Sequence, residues 1–256
     1  MKPLSFIFIV LFCFTLNAQE ITRDDITKLV TEMEQKYAIK FKVDSMPKTT
    51  WDTEYKFAQE QDYSNLVNYL HLVDIAFSKY PLTFLKKVKL KSVIFVKNLK
   101  LKSSKEDLTT SAIPDYQNNI LIFDFIIGYY DKVYQEHTIH HTFYKFIESQ
   151  FNSKLNWNDP VWNSFNKSNE SYGVQGIDSS GINNSIKGYV SSYSLYNATQ
   201  DKAEIFATLF TKLEHKSLKK WMVDDLVLSN KARYLQDFLK GIDRNFNDEY
   251  WRKLNE

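Results

Sequence analysis

Two stretches of the chain carry the residue types that hydrolyse peptide bonds. The first runs His137-Thr138-Ile139-His140-His141-Thr142-Phe143-Tyr144-Lys145-Phe146. His137 and His141 are four apart, a spacing that on a helix turns both imidazoles to one side, where they can share a metal ion. In zinc peptidases of the zincin type, a glutamate after the first histidine deprotonates the metal-bound water. Two registers are open here. With His137 and His141 as the pair, Thr138 stands where that glutamate belongs. With His141 as the first ligand, Thr142 replaces the glutamate and Lys145 replaces the second histidine. Both registers lose the general base, because a threonine hydroxyl is not a base near neutral pH and a positioned base contributes about 10²–10⁴-fold.

The second stretch is Tyr193-Ser194-Leu195-Tyr196-Asn197-Ala198-Thr199-Gln200-Asp201-Lys202-Ala203-Glu204. Gln200 and Glu204 are also four apart, so they share a helical face. Glu204 has three readings: the carboxylate of a rearranged metal site with His137 and His141, an ion-pair partner for Lys145 across the cleft, or a solvated surface group. The histidines have a plainer reading too, as a hydrogen-bonded pair on a partly buried helix. His140 reads as a packing or surface residue, and His71 and His215 as ordinary helix residues.

The run Thr138-Ile139-His140-His141 with Phe143-Tyr144 resembles the zinc helix of a group of secreted zinc-binding metallopeptidases, which are similar in turn to the catalytic domain of anthrax lethal factor. The resemblance favours the second register and extends through Gly188-Tyr189-Val190-Ser191-Ser192-Tyr193 into the following helix. It implies an α+β, zincin-like fold, helix-rich with a small mixed sheet beside the histidine helix. It implies zinc as cofactor, with Tyr193 stabilising the oxyanion, Gln200 at the position of a ligand glutamate, and Glu204 supporting a ligand histidine. Leu85–Val88, Val93–Val96 and Trp162 through Gly173 also look similar to the family. The departures weaken the site. Glutamine offers zinc a neutral oxygen, and an ammonium at position 145 opposes a divalent cation. Zinc is therefore expected to be weak or absent.

The elements that must position these residues follow from periodicity. Residues 22–40 and 62–80 read as amphipathic helices, the second stopped by Pro81. Residues 91–96 and 119–124 are β-branched and aromatic runs of strand length, with Pro114-Asp115 and Gln117-Asn118-Asn119 read as turns. Residues 130–151 form the histidine helix. A stretch rich in Asn, Ser and Gly, 152–187, follows as a long loop with Trp157, Trp162, Gly173, Gly176 and Gly181. It holds three Asn-x-Ser/Thr sequons, and Asn197 begins a fourth. Helices are expected at 198–215 and 218–240, and a helical tail at 245–254.

Lys2, the apolar run Leu4–Leu16 and Asn17-Ala18-Gln19 have the layout of a secretory signal, with cleavage expected after Ala18. The run is shorter than the roughly 20 residues that span a bilayer. Cys13, the only cysteine, lies within it, so no disulfide framework is expected in the mature chain. Residues 19–256 then read as a single domain, secreted, periplasmic or on the cell surface. A formal charge of +2 gives no reason to expect nucleic acid or an anionic membrane as partner. The 16 Tyr and 19 Phe, with only 6 Gly and 5 Pro, favour a packed, ordered domain. The functional expectation is a degenerate zinc-peptidase-like module that holds a peptide or protein ligand, paired along an edge strand at 119–124. The alternatives are an active metallopeptidase using His137, His141 and Glu204, and a structural or surface-associated protein without a working cleft.

Overall fold

The computed structural model describes residues 20–152, 159–166, 172–173 and 181–254. The signal-like segment with Cys13, together with Trp157, Gly176 and the sequon at Asn169, lies outside them.

Helix α1 (Arg23–Tyr37) begins where Thr22 and Asp25 cap one another and ends at Ala38 with φ 57°. Its buried face is Ile26, Met33 and Tyr37, as the periodicity requires. Helix α2 (Tyr63–Ser78) buries Leu66, Tyr69, Leu70, Val73 and Phe77, and α3 (Leu82–Lys87) follows directly after Pro81.

The central strands are β3 (Ser92–Leu101) and β6 (Ile120–Asp124), which pair in parallel with Val93 opposite Leu121 and Phe95 opposite Phe123. Both sides of these strands are covered, which is why their sequences are continuous apolar runs and do not alternate. Val93, Phe95, Leu121 and Phe123 face the helical core, while Ile94, Val96, Ile120 and Ile122 join a smaller cluster with Leu99 and Ile113. Strand β1 (Lys40–Lys42) adds in parallel to β3, and β5 (Ala112–Asp115) adds antiparallel to β6. Strands β2 (Thr53–Lys56) and β4 (Leu108–Thr109) pair with the outer half of β3. The sheet is thus mixed, in the order β1-β3-β6-β5.

Two expectations change here. Pro114 and Asp115 are not a turn but the end of β5, and the turn is residues 116–119. Residues 119–124 are not an edge either, because β6 has β3 on one side and β5 on the other, leaving no backbone groups for a ligand strand. The ends of this order are β1 and β5. On β5, Trp51 Nε1 donates to Pro114 O at 3.1 Å, and Thr50 N and Oγ1 donate to the Asp115 side-chain carboxylate.

Helix α4 (Lys132–Phe151) carries the histidines and starts at Asp131, whose Oδ1 accepts from Val133 N and Tyr134 N. It packs along α6 (Ala198–Phe210), which is buried over almost its whole length. The expected helix 198–215 ends at Phe210, and Thr211 turns the chain into α7 (Lys212–Asp224). Helix α8 (Leu226–Ile242) starts after Asp225, which caps it and also accepts from Gly188 N and Asn184 Nδ2. Helix α9 (Asp248–Lys253) forms the tail.

The 152–187 stretch contains the short helix α5 (Pro160–Ser164), with Trp162 fully buried. Its anchorage is ionic. Lys202 Nζ lies 2.7 Å from Glu148 Oε1 and 2.9 Å from Asp159 Oδ2, and Lys231 Nζ lies 2.7 Å from Asp201 Oδ2 and 2.8 Å from Gly188 O. Trp162 Nε1 and Tyr172 OH both donate to Asp201, and Tyr234 OH donates to Asp159. Both lysine side chains are 0% exposed, so this layer is worth most when it is intact. Removing one partner of a buried pair strands the other, at about 3–5 kcal/mol. Lys202→Ala is therefore expected to lower unfolding stability by that amount in urea titrations, whereas Lys253→Ala, which removes an exposed pair with Glu249, changes it by less than about 1 kcal/mol.

Candidate functional site

The two stretches singled out in the sequence converge where α4 lies against α6. His137 occupies the middle of the contact. Its Nδ1 is 2.6 Å from Glu214 Oε2 on α7, and its Nε2 is 3.2 Å from Glu204 Oε1 on α6. His141, one turn on, has its Nε2 3.6 Å from the same Glu204 oxygen. The other Glu204 oxygen accepts from Ser191 Oγ at 2.6 Å. The Tyr193 ring stands 5.9 Å from the His141 ring and stacks on Tyr196 at 6.4 Å.

Burial alone would push His137 down, but Glu204 and then Glu214 carry it well above the ordinary histidine value. Glu204 would be raised by burial, yet the charge and hydrogen bond of His137 hold it at about 2. Burial dominates His141. It falls to about 3, with Glu204 opposing the shift and Lys145 and His137 adding to it. One imidazolium and one neutral imidazole thus sit four residues apart on the same helix. Tyr193 is pushed up by burial, then by Glu204, Tyr196 and Tyr134.

Gln200 is 8% exposed, on the first turn of α6, where Asn197 caps the helix by accepting from Gln200 N. Its amide is close enough to act on His141, but neither Gln200 Oε1 nor His141 Nε2 reaches hydrogen-bond geometry with any described group. Lys145 comes to the same face, and the expected Lys145–Glu204 ion pair does not form. Glu204 is engaged by His137 and Ser191 instead, and its closer histidine is His137 and not His141. Thr138 and Thr142 are buried, and neither hydroxyl bonds to a histidine, lysine or carboxylate among the described residues.

His140 is a core residue, fully buried, with Nδ1 2.6 Å from Tyr80 OH. His71 is exposed on α2, and His215 is buried in α7, next in sequence to Glu214. Glu214 and Ser191 were not anticipated. Glu214 lies ten residues beyond Glu204 on a different helix, and Ser191 belongs to a loop, so no local spacing marks either.

No family model matches the sequence, and no curated protein matches it. Among solved structures, the fold is similar to a "putative zinc-binding metallo-peptidase" from Bacteroides caccae, with a TM-score of 0.50 and 11% identity over 92% of this chain and 95% of that one. At that identity the likeness bears on fold alone, and the chain has a metallopeptidase-like α+β fold.

The side chains do not fit zinc in the register that the sequence resemblance favours. Lys145 replaces an imidazole, and Gln200 offers a neutral amide in place of a carboxylate. No group of three or more His, Cys, Asp or Glu side chains poised to hold a metal occurs among the described residues. His137, His141 and Glu204 do meet, but the two rings lie within 22° of parallel and 6.1 Å apart, with the Glu204 oxygen hydrogen-bonded to His137. Two donors each about 2 Å from one tetrahedral ion stand roughly 3.3 Å apart, and Glu204 Oε1 is 3.2 and 3.6 Å from the two histidine nitrogens while also hydrogen-bonded to His137.

The electrostatics give a pH dependence. Glu204 binds its proton more weakly folded than unfolded, so its contribution is complete above pH 4.5 and is lost as the pH falls towards about 2. His141 also binds its proton more weakly when folded, so its share is complete above 6.5 and is lost on acidification towards about 3. His137 has the opposite sign: its stabilisation is full below 6.5 and fades only as the pH rises through its elevated folded value. Nitrogen-15 spectra at pH 5 are expected to show His141 neutral and His137 doubly protonated. A charged His141 at that pH would contradict the arrangement.

Proposed function

We propose that this is a secreted metallopeptidase-like protein that has lost catalysis and uses the cleft between α4 and α6 to bind a peptide or protein. The observation that carries the reading is the threonine that follows each candidate first histidine, where a zincin has its glutamate base. Neither hydroxyl hydrogen-bonds to a histidine, lysine or carboxylate among the described residues. The metallopeptidase-like fold supports looking for a ligand here, and Tyr193, His141, Gln200 and Lys145 lie close together where it would bind. At β5 a ligand strand would meet Pro114, which has no N–H and whose carbonyl already accepts from Trp51. Recognition through side chains is the better-supported mode. Secretion rests on the segment 1–18. No helix among the described residues is long and apolar enough to cross a membrane.

A second reading is supported by one observation, the approach of Glu204 Oε1 to Nε2 of both His137 and His141. In it, these three side chains would hold zinc, and the bound metal would supply Lewis acidity and an acidified water. Glu214 would orient His137, and the missing base would still limit turnover.

Incubation of the pure protein with a generic peptide library, with and without chelator, is expected to leave the peptides intact by mass spectrometry. Chelator-sensitive cleavage would overturn the proposal. The combined change Thr142→Glu, Lys145→His and Gln200→Glu is expected to raise zinc content, measured after stripping and reloading, from well below one to about one per chain if the second register holds. Stoichiometric zinc in the unmodified protein would favour the second reading instead.

A further inference from the structure

Lys145 brings a cation beside His141 that has no counter-ion among the described residues. It lies one helical turn beyond His141 and is partly buried, and it forms no ion pair or hydrogen bond with any described residue. The carboxylates nearest in effect are committed elsewhere. Glu204 accepts from His137 and Ser191, and Glu148 Oε1 accepts from Lys202. The second oxygen of Glu148 is buried without a hydrogen bond and still does not reach Lys145. Burial pushes the ammonium down from its ordinary value, with Glu148 and Glu204 only partly opposing. Its Nζ keeps contact with solvent, so an incoming acceptor can reach the ammonium from that side.

Unused hydrogen-bonding capacity gathers beside it. His141 Nε2 and Gln200 Oε1 are both buried and unpartnered, on side chains that face each other. The Tyr193 hydroxyl, next to His141, makes no hydrogen bond with a described residue. An ammonium can only donate, while a neutral imidazole, a carboxamide turned about its last bond and a phenol can each donate one hydrogen bond inward. Glu204 and Glu214 share the single positive charge of His137, so the Lys145 ammonium is the cation that must supply the attraction for an incoming anion. The group that answers this set is a compact, negatively charged acceptor with two oxygens.

We propose that Lys145, His141, Gln200 and Tyr193 form a carboxylate-binding site, and that the cleft takes a peptide by its carboxylate. This rests on the peptide-binding reading above and adds the class of ligand. Two sources share the chemistry, a free C-terminus and an Asp or Glu side chain.

Calorimetric titration separates them with three probes: N-acetyl-Ala-Ala-Ala-Phe as the free acid, the same peptide as the C-terminal amide, and N-acetyl-Ala-Ala-Glu-Phe amide. The free acid is expected to bind the unmodified protein at least about tenfold more tightly than its amide, the scale of one charge-assisted hydrogen bond. Tight binding of the glutamyl amide as well would support the site and identify a side-chain carboxylate as a second occupant. Lys145→Gln is expected to abolish the preference for acid over amide. Should that variant fold poorly by circular dichroism, the comparison in the unmodified protein still decides. Equal affinity for all three peptides would overturn the carboxylate site and leave peptide binding standing. Binding of none would overturn both.

Discussion

Everything around the cleft depends on burying the Glu204 carboxylate between two helices. A charge at that depth is tolerated only when cations and donors surround it. Glu204 recruits three elements for the purpose: His137 and His141 from α4, Ser191 from the loop before α6, and, through His137, Glu214 from α7. The requirement therefore sets the spacing of α4 and α6 and draws the 188–193 segment against them. Glu204, His137, Glu214 and Ser191 are thus one connected set of hydrogen bonds joining α6, α4, α7 and the loop between α5 and α6.

A second polar layer lies behind the first and is stricter still. Lys202 and Lys231, side by side with Asp159, Asp201 and Trp162, fix the irregular segment onto α6 and α8. Gly188 belongs to the same device. Its φ of +88° and the Val227 methyl only 2.7 Å from where a Cβ would stand leave room for no larger residue. Because Gly188 is held from both its N–H and its carbonyl, the residues after it reach the cleft in a defined register, and Ser191 and Tyr193 arrive where α4 presents its histidines.

The sequence was most legible where periodicity is strong. Helices α1, α2 and α4 and the buried strands β3 and β6 follow directly from spacing and β-branching, and so did the meeting of α4 with α6. It was least legible where the determinant is non-local. Thr211 and Asp225 break the C-terminal helices without glycine or proline, and the only local mark is that each is an N-cap residue type, common enough inside helices to be overlooked. Pro114 looked like a turn because proline is rare in strands, but at a sheet edge its missing N–H does no harm. Which strand is central depends on partners far away in sequence, so 119–124 was misread as an edge. Glu214 was invisible for the same reason: it matters only once α7 has folded back toward α4.

The covered margin of the sheet has a consequence for how the molecule behaves among copies of itself. An open strand border is a template on which neighbouring chains can stack, and proteins blunt such borders with prolines and capping side chains. Here Pro114 and the indole of Trp51 do both within two residues of one another across the border. Neighbouring copies therefore meet, at β5, a border with one carbonyl already taken and one N–H missing, which makes that strand a poor template for edge-to-edge stacking.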